Sequence, residues 1–163
     1  MSNTSEIDFV RLIPELQAWN NGHGISVEAW IGCVGRSELA IGYGRLFWPE
    51  FVEHDGCVLF AGFSSDSFRA FMEQRDGNRR DVEIVMNHRH VSDYFSRAGG
   101  SATAEQLIYL GRLLRDIWQT KLAHDFPDRS FVVHFADGPF EDLNDYEVTF
   151  WQPSAADQAS RLD

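Results

Sequence analysis

The stretch Met86-Asn87-His88-Arg89-His90-Val91-Ser92-Asp93 brings metal-ligating residue types together within a few positions. His88, His90 and Asp93 would give two imidazoles and a carboxylate, a donor set suited to zinc or iron and, through the ion, to a metal-dependent hydrolase. Such a site needs its side chains on one side of the backbone. In an extended segment residues i and i+2 share a face, so Val82, Ile84, Met86, His88 and His90 would point together. On a helix His88 and His90 diverge by about 200° and cannot share an ion. Asn78 ahead of Arg79-Arg80-Asp81 has the form of a helix start, and Val82, Val85, Met86 and Arg89 keep helical spacing. The local pattern therefore favours helix over 81–91, with the polar residues closing it; the extended alternative stays open.

The H-x-H-x-D-H motif of metallo-β-lactamase-like hydrolases is not met, because Ser92 stands where Asp is needed and Asp93 where His is needed. His134 is a second candidate. It falls on the strand face opposite Phe131, Val133 and Phe135, where Glu147, Thr149 or Trp151 can face it, as a general base or as an ordinary cross-strand contact. The run Asp137-Gly138-Pro139-Phe140-Glu141-Asp142-Leu143-Asn144-Asp145 lacks the calcium-loop pattern. It reads as a solvated hairpin connection, or as an acidic rim in which Phe140, Glu141, Asp142 and Asp145 meet a basic protein partner. Cys33 and Cys57 each sit among apolar neighbours, so two reduced, buried thiols are expected rather than a disulfide or a nucleophile. The segment Gly42-Tyr43-Gly44-Arg45-Leu46-Phe47 matches only the first half of G-x-G-x-x-G with no clear strand before it. Walker, G-x-S-x-G and C-x-x-C patterns are absent from the sequence.

The element that positions these groups is a long helix over about 103–126. Thr103 and Gln106 have capping-box spacing, and Glu105 and Lys121/His124 match the helix dipole at its two ends. Leu107, Leu110, Leu114, Ile117, Trp118, Leu122 and Phe126 recur at three- and four-residue steps. Pro127 stops the helix. Two strands follow, 131–135 and 146–151, as an antiparallel pair whose aromatic face the helix covers. Before them, Ser5 (or Thr4) to Trp19 reads as helix interrupted by Pro14, either kinked or split into two with the second opening at Pro14. Asn20-Asn21-Gly22-His23-Gly24 is a turn. Residues 25–35 lean to helix behind Ser26, and Ser37 caps another helix ending at Trp48-Pro49. His54-Asp55-Gly56 is a bend before a strand at 57–61, Ser64-Ser65-Asp66-Ser67 is a cap cluster for a further helix, and Gly99-Gly100-Ser101 is a joint. The expected fold is α+β, with several helices packed on one small antiparallel sheet built from 57–61, 131–135 and 146–151.

At 163 residues and 44% hydrophobic the chain fits a single domain, 1–152, followed by a tail over 153–163. The start of the chain lacks a basic segment and an apolar core, and no run approaches the ~20 apolar residues of a membrane span. The net charge of −11 divides as −5 over 1–60, 0 over 61–136 and −6 over 137–163. Such a surface repels phosphate backbones and anionic membranes, so neither nucleic acid nor membrane is expected as a partner.

The phrases Leu16-Gln17-Ala18-Trp19-Asn20-Asn21-Gly22, Leu46-Phe47-Trp48-Pro49, Met86-Asn87-His88-Arg89-His90 and Asp125-Phe126-Pro127-Asp128-Arg129 resemble a family of small soluble bacterial proteins with no assigned activity. The resemblance covers 5–152 and implies one bacterial, cytoplasmic domain; it brings no cofactor and no catalytic residue. With no complete catalytic set in the sequence, the leading expectation is a non-enzymatic, immunity-type binding protein for a basic partner. The alternative is the metal-dependent hydrolase at His88, His90 and Asp93.

Overall fold

A computed structural model describes residues 7–95 and 102–154. The Thr4/Ser5 cap, the Gly99–Ser101 joint and the tail beyond Ser154 lie outside the described residues. The fold is α+β, and the chain divides into two compact units, Met1–Tyr43 and Gly44–Asp163.

In the first unit Pro14 acts as its chemistry requires. Helix α1 (Phe9–Leu12) begins at Asp8, whose carboxylate accepts the Arg11 N–H at 3.1 Å, and it ends at Ile13. Pro14 then opens a separate 3-10 helix, Pro14–Ala18, at the position where its missing N–H costs nothing. Asn20, Asn21, Gly22 and Gly24 all take positive φ through the turn that follows. Ser26 caps α2 (Val27–Val34) by accepting the Ala29 N–H at 3.2 Å. This helix buries none of its side chains, which corrects the expectation for Cys33: its thiol is free and exposed, whereas Cys57 is free and buried. Apolar neighbours in sequence did not produce a buried position because Cys33 lies on a helix that covers no core.

Helix α3 (Ser37–Phe47) carries the chain across the division between units and stops before Pro49. In the second unit, β1 (Phe51–His54) and β2 (Cys57–Phe60) form a hairpin whose two turn residues, Asp55 (φ 49°) and Gly56 (φ 81°), both adopt positive φ. That is the turn geometry matching strand twist. Helices α4 (Ser65–Gln74) and α5 (Arg79–Met86) follow, capped by Ser64 and Asn78. The two-residue strand β3 (Arg89–His90) and the short helix α6 (Ser92–Phe95) come next. Thr103 and Gln106 close a complete capping box on α7 (Ala104–Asp125), with bonds of 3.2 and 2.9 Å. Finally β4 (Val132–Phe135) and β5 (Glu147–Trp151) pair antiparallel, with Val133 opposite Phe150 and Phe135 opposite Val148.

The sheet differs from expectation in its membership. Cys57–Phe60 pairs with Phe51–His54 in a two-stranded sheet of its own, and the second sheet runs β3-β5-β4. The tight Asp55-Gly56 turn satisfies the β2 backbone locally, and the free edge of β5 is taken by Arg89 and His90. Leu107, Leu114, Trp118 and Leu122 of α7 bury completely against the face carrying Val133, Phe135, Val148 and Phe150. The Trp118 indole donates to the Leu46 carbonyl at 3.0 Å, giving the largest core residue the partner a buried N–H requires. Gly111 is buried where the helix meets the Phe135 ring; a Cβ there would fall within 3.0 Å of that ring. The missing side chain is what allows helix and sheet to approach.

Candidate functional site

The position of the histidines follows from where α5 ends. Asn87 caps it with its N–H on the Glu83 carbonyl at 2.9 Å. The fully buried Asn87 side chain donates from Nδ2 to the Val58 carbonyl at 2.9 Å and to the Phe150 carbonyl at 3.2 Å, one in each sheet. The helix ends at this cap, and the chain pairs as a strand from Arg89. Both local readings of 81–91 therefore apply, to different residues: helix through Met86, and strand at Arg89–His90.

In the extended segment His88 and His90 share a face, with ring centroids 4.6 Å apart and planes at 81°. Register then supplies a carboxylate from far along the chain, because His90 lies directly opposite Glu147 on β5. His88 Nε2 is 3.0 Å from Glu147 Oε2, and His90 Nδ1 is 3.5 Å from Glu147 Oε1. The three side chains are 33–37% exposed, so the site is open to solvent on one side. One donor atom from each of the three lies within 4.8 Å of the others. Two ligands, each about 2.1 Å from a tetrahedral ion, lie about 3.4 Å apart, so His88 Nε2 and Glu147 Oε2, at 3.0 Å, already stand near the separation of two ligands on one ion. Two imidazoles and one carboxylate fit zinc or non-haem iron and leave coordination positions free.

Asp93 does not join the two histidines. It is exposed on α6, and the carboxylate that meets them is Glu147. Of the three residues that the sequence allowed to face His134, namely Glu147, Thr149 and Trp151, the register puts Thr149 opposite it and gives Glu147 to His90. His134 is exposed, lies opposite Thr149, and has its ring 6.3 Å from that of Trp151. The signal that could have found Glu147 is a third short strand on the free edge of β5; a two-residue strand has no periodicity to announce it.

The acidic connection folds back beside this cluster. Asn144 presents its backbone carbonyl to His90 Nδ1 at 2.6 Å, and its side-chain oxygen accepts the Ser92 hydroxyl at 2.9 Å. Asp142 caps the 3-10 turn Leu143–Asp145 by accepting the Asn144 N–H at 2.9 Å. Glu141 and Asp145 are exposed, and Phe140 is 37% exposed with its ring edge-on to Tyr146 at 5.2 Å. Asp137 pairs with Arg112 at 2.8 Å, and that bond holds its carboxyl below the usual range.

Two other titratable groups are perturbed by burial. Cys57 is pushed up to about 11 by desolvation, with the nearby Glu83 charge adding to it, so the thiol stays protonated and unreactive near neutrality. Glu83 is fully buried at the back of an open pocket of about 340 Å³ that also includes Arg79, Arg80 and Gln152. Its Oε1 accepts the Val58 N–H and Gln152 Nε2, and its Oε2 accepts the Gln152 N–H, each at 2.7 Å. Burial raises its pKa, and the three N–H donors pull it part of the way back. With every donor aimed at joining β2 to the end of β5, Glu83 works as a structural clamp.

Among the described residues no helix is long and apolar enough to cross a membrane. Compared with protein-family models, with curated proteins and with solved structures, the chain finds no match in any of the three.

Proposed function

We propose that this chain is a metal-binding protein holding a divalent transition ion at His88, His90 and Glu147. The observation that carries the reading is the convergence of one donor atom from each of the three within 4.8 Å, with His90 in register opposite Glu147 and His88 just before the same strand. Relative to the sequence-based alternative, the site keeps both histidines and exchanges Asp93 for Glu147. When bound, an ion with free positions supplies Lewis-acid polarisation of a water or carbonyl, the chemistry of a metal-assisted hydrolase. The test is calorimetric titration with zinc. The wild type binds one equivalent; His88→Ala/His90→Ala and Glu147→Gln lose at least tenfold in affinity, while Asp93→Asn retains it. Equal binding by the wild type and the double variant would end the proposal.

A second reading, a binding domain for a basic partner, is supported by the exposed Phe140 ring flanked by Glu141 and Asp145. Its test is co-purification from cells expressing the tagged full chain. Recovery of a basic partner that is released by salt and lost on Glu141→Gln/Asp145→Asn supports this reading, whereas a complex indifferent to both counts against it.

A further inference from the structure

One contact at the histidine cluster is shorter than any between the prospective ligands. It joins His90 Nδ1 to the Asn144 backbone carbonyl at 2.6 Å. The other group near Nδ1 is the Glu147 carboxylate at 3.5 Å, also an acceptor. A ring nitrogen facing two acceptors carries the proton, which leaves the lone pair on Nε2. Metal-ligating histidines use this division of labour: one nitrogen on the ion, the other N–H on a carbonyl or carboxylate that fixes the ring.

Asn144 is itself held by two bonds, and a third closes the turn around it. The Ser92 hydroxyl donates to its Oδ1 at 2.9 Å, its own N–H donates to Asp142 Oδ1 at 2.9 Å, and the Asp145 N–H reaches the Asp142 carbonyl at 3.1 Å. We propose, resting on the metal-binding reading, that Asn144 and Ser92 are positioning residues of the site. A divalent transition ion bound through His90 Nε2 then fastens the acidic connection 136–146 to the sheet.

An ion on Nε2 draws electron density from the ring and makes Nδ1–H a stronger donor to the Asn144 carbonyl, moving that bond toward the charge-assisted class. Linkage makes the effect mutual: the factor by which the ion steadies the connection is the factor by which the steadied connection tightens the ion. Because the same connection carries Phe140, Glu141 and Asp145, occupancy of the site sets how firmly that surface is displayed. Ligation through Nδ1 instead would break the Asn144 bond and loosen the connection, so the sign of the effect identifies the ligating nitrogen.

The experiment is amide hydrogen exchange on the full chain with and without saturating zinc chloride, read at Asn144 and Asp145, beside calorimetric zinc titration. Zinc slows exchange at both amides about tenfold, and Ser92→Ala weakens zinc binding by about the same factor, the usual scale for an outer-shell partner. Asn144→Ala removes the same side-chain bond from its other end and serves if Ser92→Ala does not fold. In His88→Ala the Asn144 contact persists but zinc leaves exchange unchanged, which separates the ion's effect from a merely structural one. Zinc binding with unchanged or faster exchange overturns the fastening and leaves the site standing; failure of the wild type to bind zinc overturns both.

Discussion

Replacing Glu83 with Gln tests how the interior of the second unit balances burial against hydrogen bonding. The amide keeps one acceptor, and placed at Oε1 it retains both the Val58 N–H and the Gln152 side chain. Its NH2 then occupies the Oε2 position and points at the Gln152 N–H, donor against donor. An unsatisfied buried donor costs about 1–3 kcal/mol, so Glu83→Gln is less stable than wild type by that amount at acid pH, where Glu83 is neutral. The pH dependence carries the sharper information. The folded pKa is raised above the ordinary value of 4.5, so the folded state holds the proton more tightly than the unfolded chain. Protonation therefore contributes stability that is fully present below about pH 4.5 and is lost as pH rises through the higher folded value. The Gln variant has no such proton, and every other titrating group cancels in the comparison. The stability gap between the two proteins accordingly narrows as pH rises above 4.5. Urea unfolding followed by tryptophan fluorescence between pH 4 and 8 measures it. A gap that widens with pH would mean that the three N–H donors outweigh burial and that the carboxylate is the favoured buried form, refuting the argument.

The remaining predictions concern the helix and the thiols. Gly111→Ala gains about 1 kcal/mol of helix propensity but overpacks against the Phe135 ring at a cost of about 1–3 kcal/mol, so urea midpoints should show net destabilisation; a stabilised variant would mean the ring moves aside freely. Thr103→Ala removes one half of the capping box and lowers stability by about 1 kcal/mol; an unchanged thermal midpoint would show that this end of α7 does not need its cap. A thiol reagent should modify Cys33 at once in the native protein and Cys57 only on unfolding; rapid modification of both would contradict the burial of the β2 thiol.

What was legible in the sequence was what short-range physics decides. The Thr103/Gln106 box, the apolar stripe of the long helix, the break at Pro14, the caps at Ser26 and Asn78 and a cap within the Ser64–Ser67 cluster depend on neighbours within a turn, and each forms. The 131–135 and 146–151 pair was also readable, because alternating apolar residues and a polar connection specify a hairpin locally. The site was half legible. His88 and His90 were visible as a pair, but their shared face depends on the helix ending at Met86, and their carboxylate on an edge strand of two residues. Neither leaves a periodic trace. The Cys33 expectation failed for a related reason: apolar neighbours along the chain mark burial only when the helix carrying them has a core to cover.

The Asn87 amide has a consequence for how this unit responds to disturbance. By spanning Val58 and Phe150 it makes the hairpin β1–β2 and the three-stranded sheet parts of one frame, with the imidazole pair mounted at the joint. A lesion in the hairpin, far from either histidine in sequence, would therefore register as a shift in the spacing of the rings, and substitutions there belong among the controls for any metal measurement.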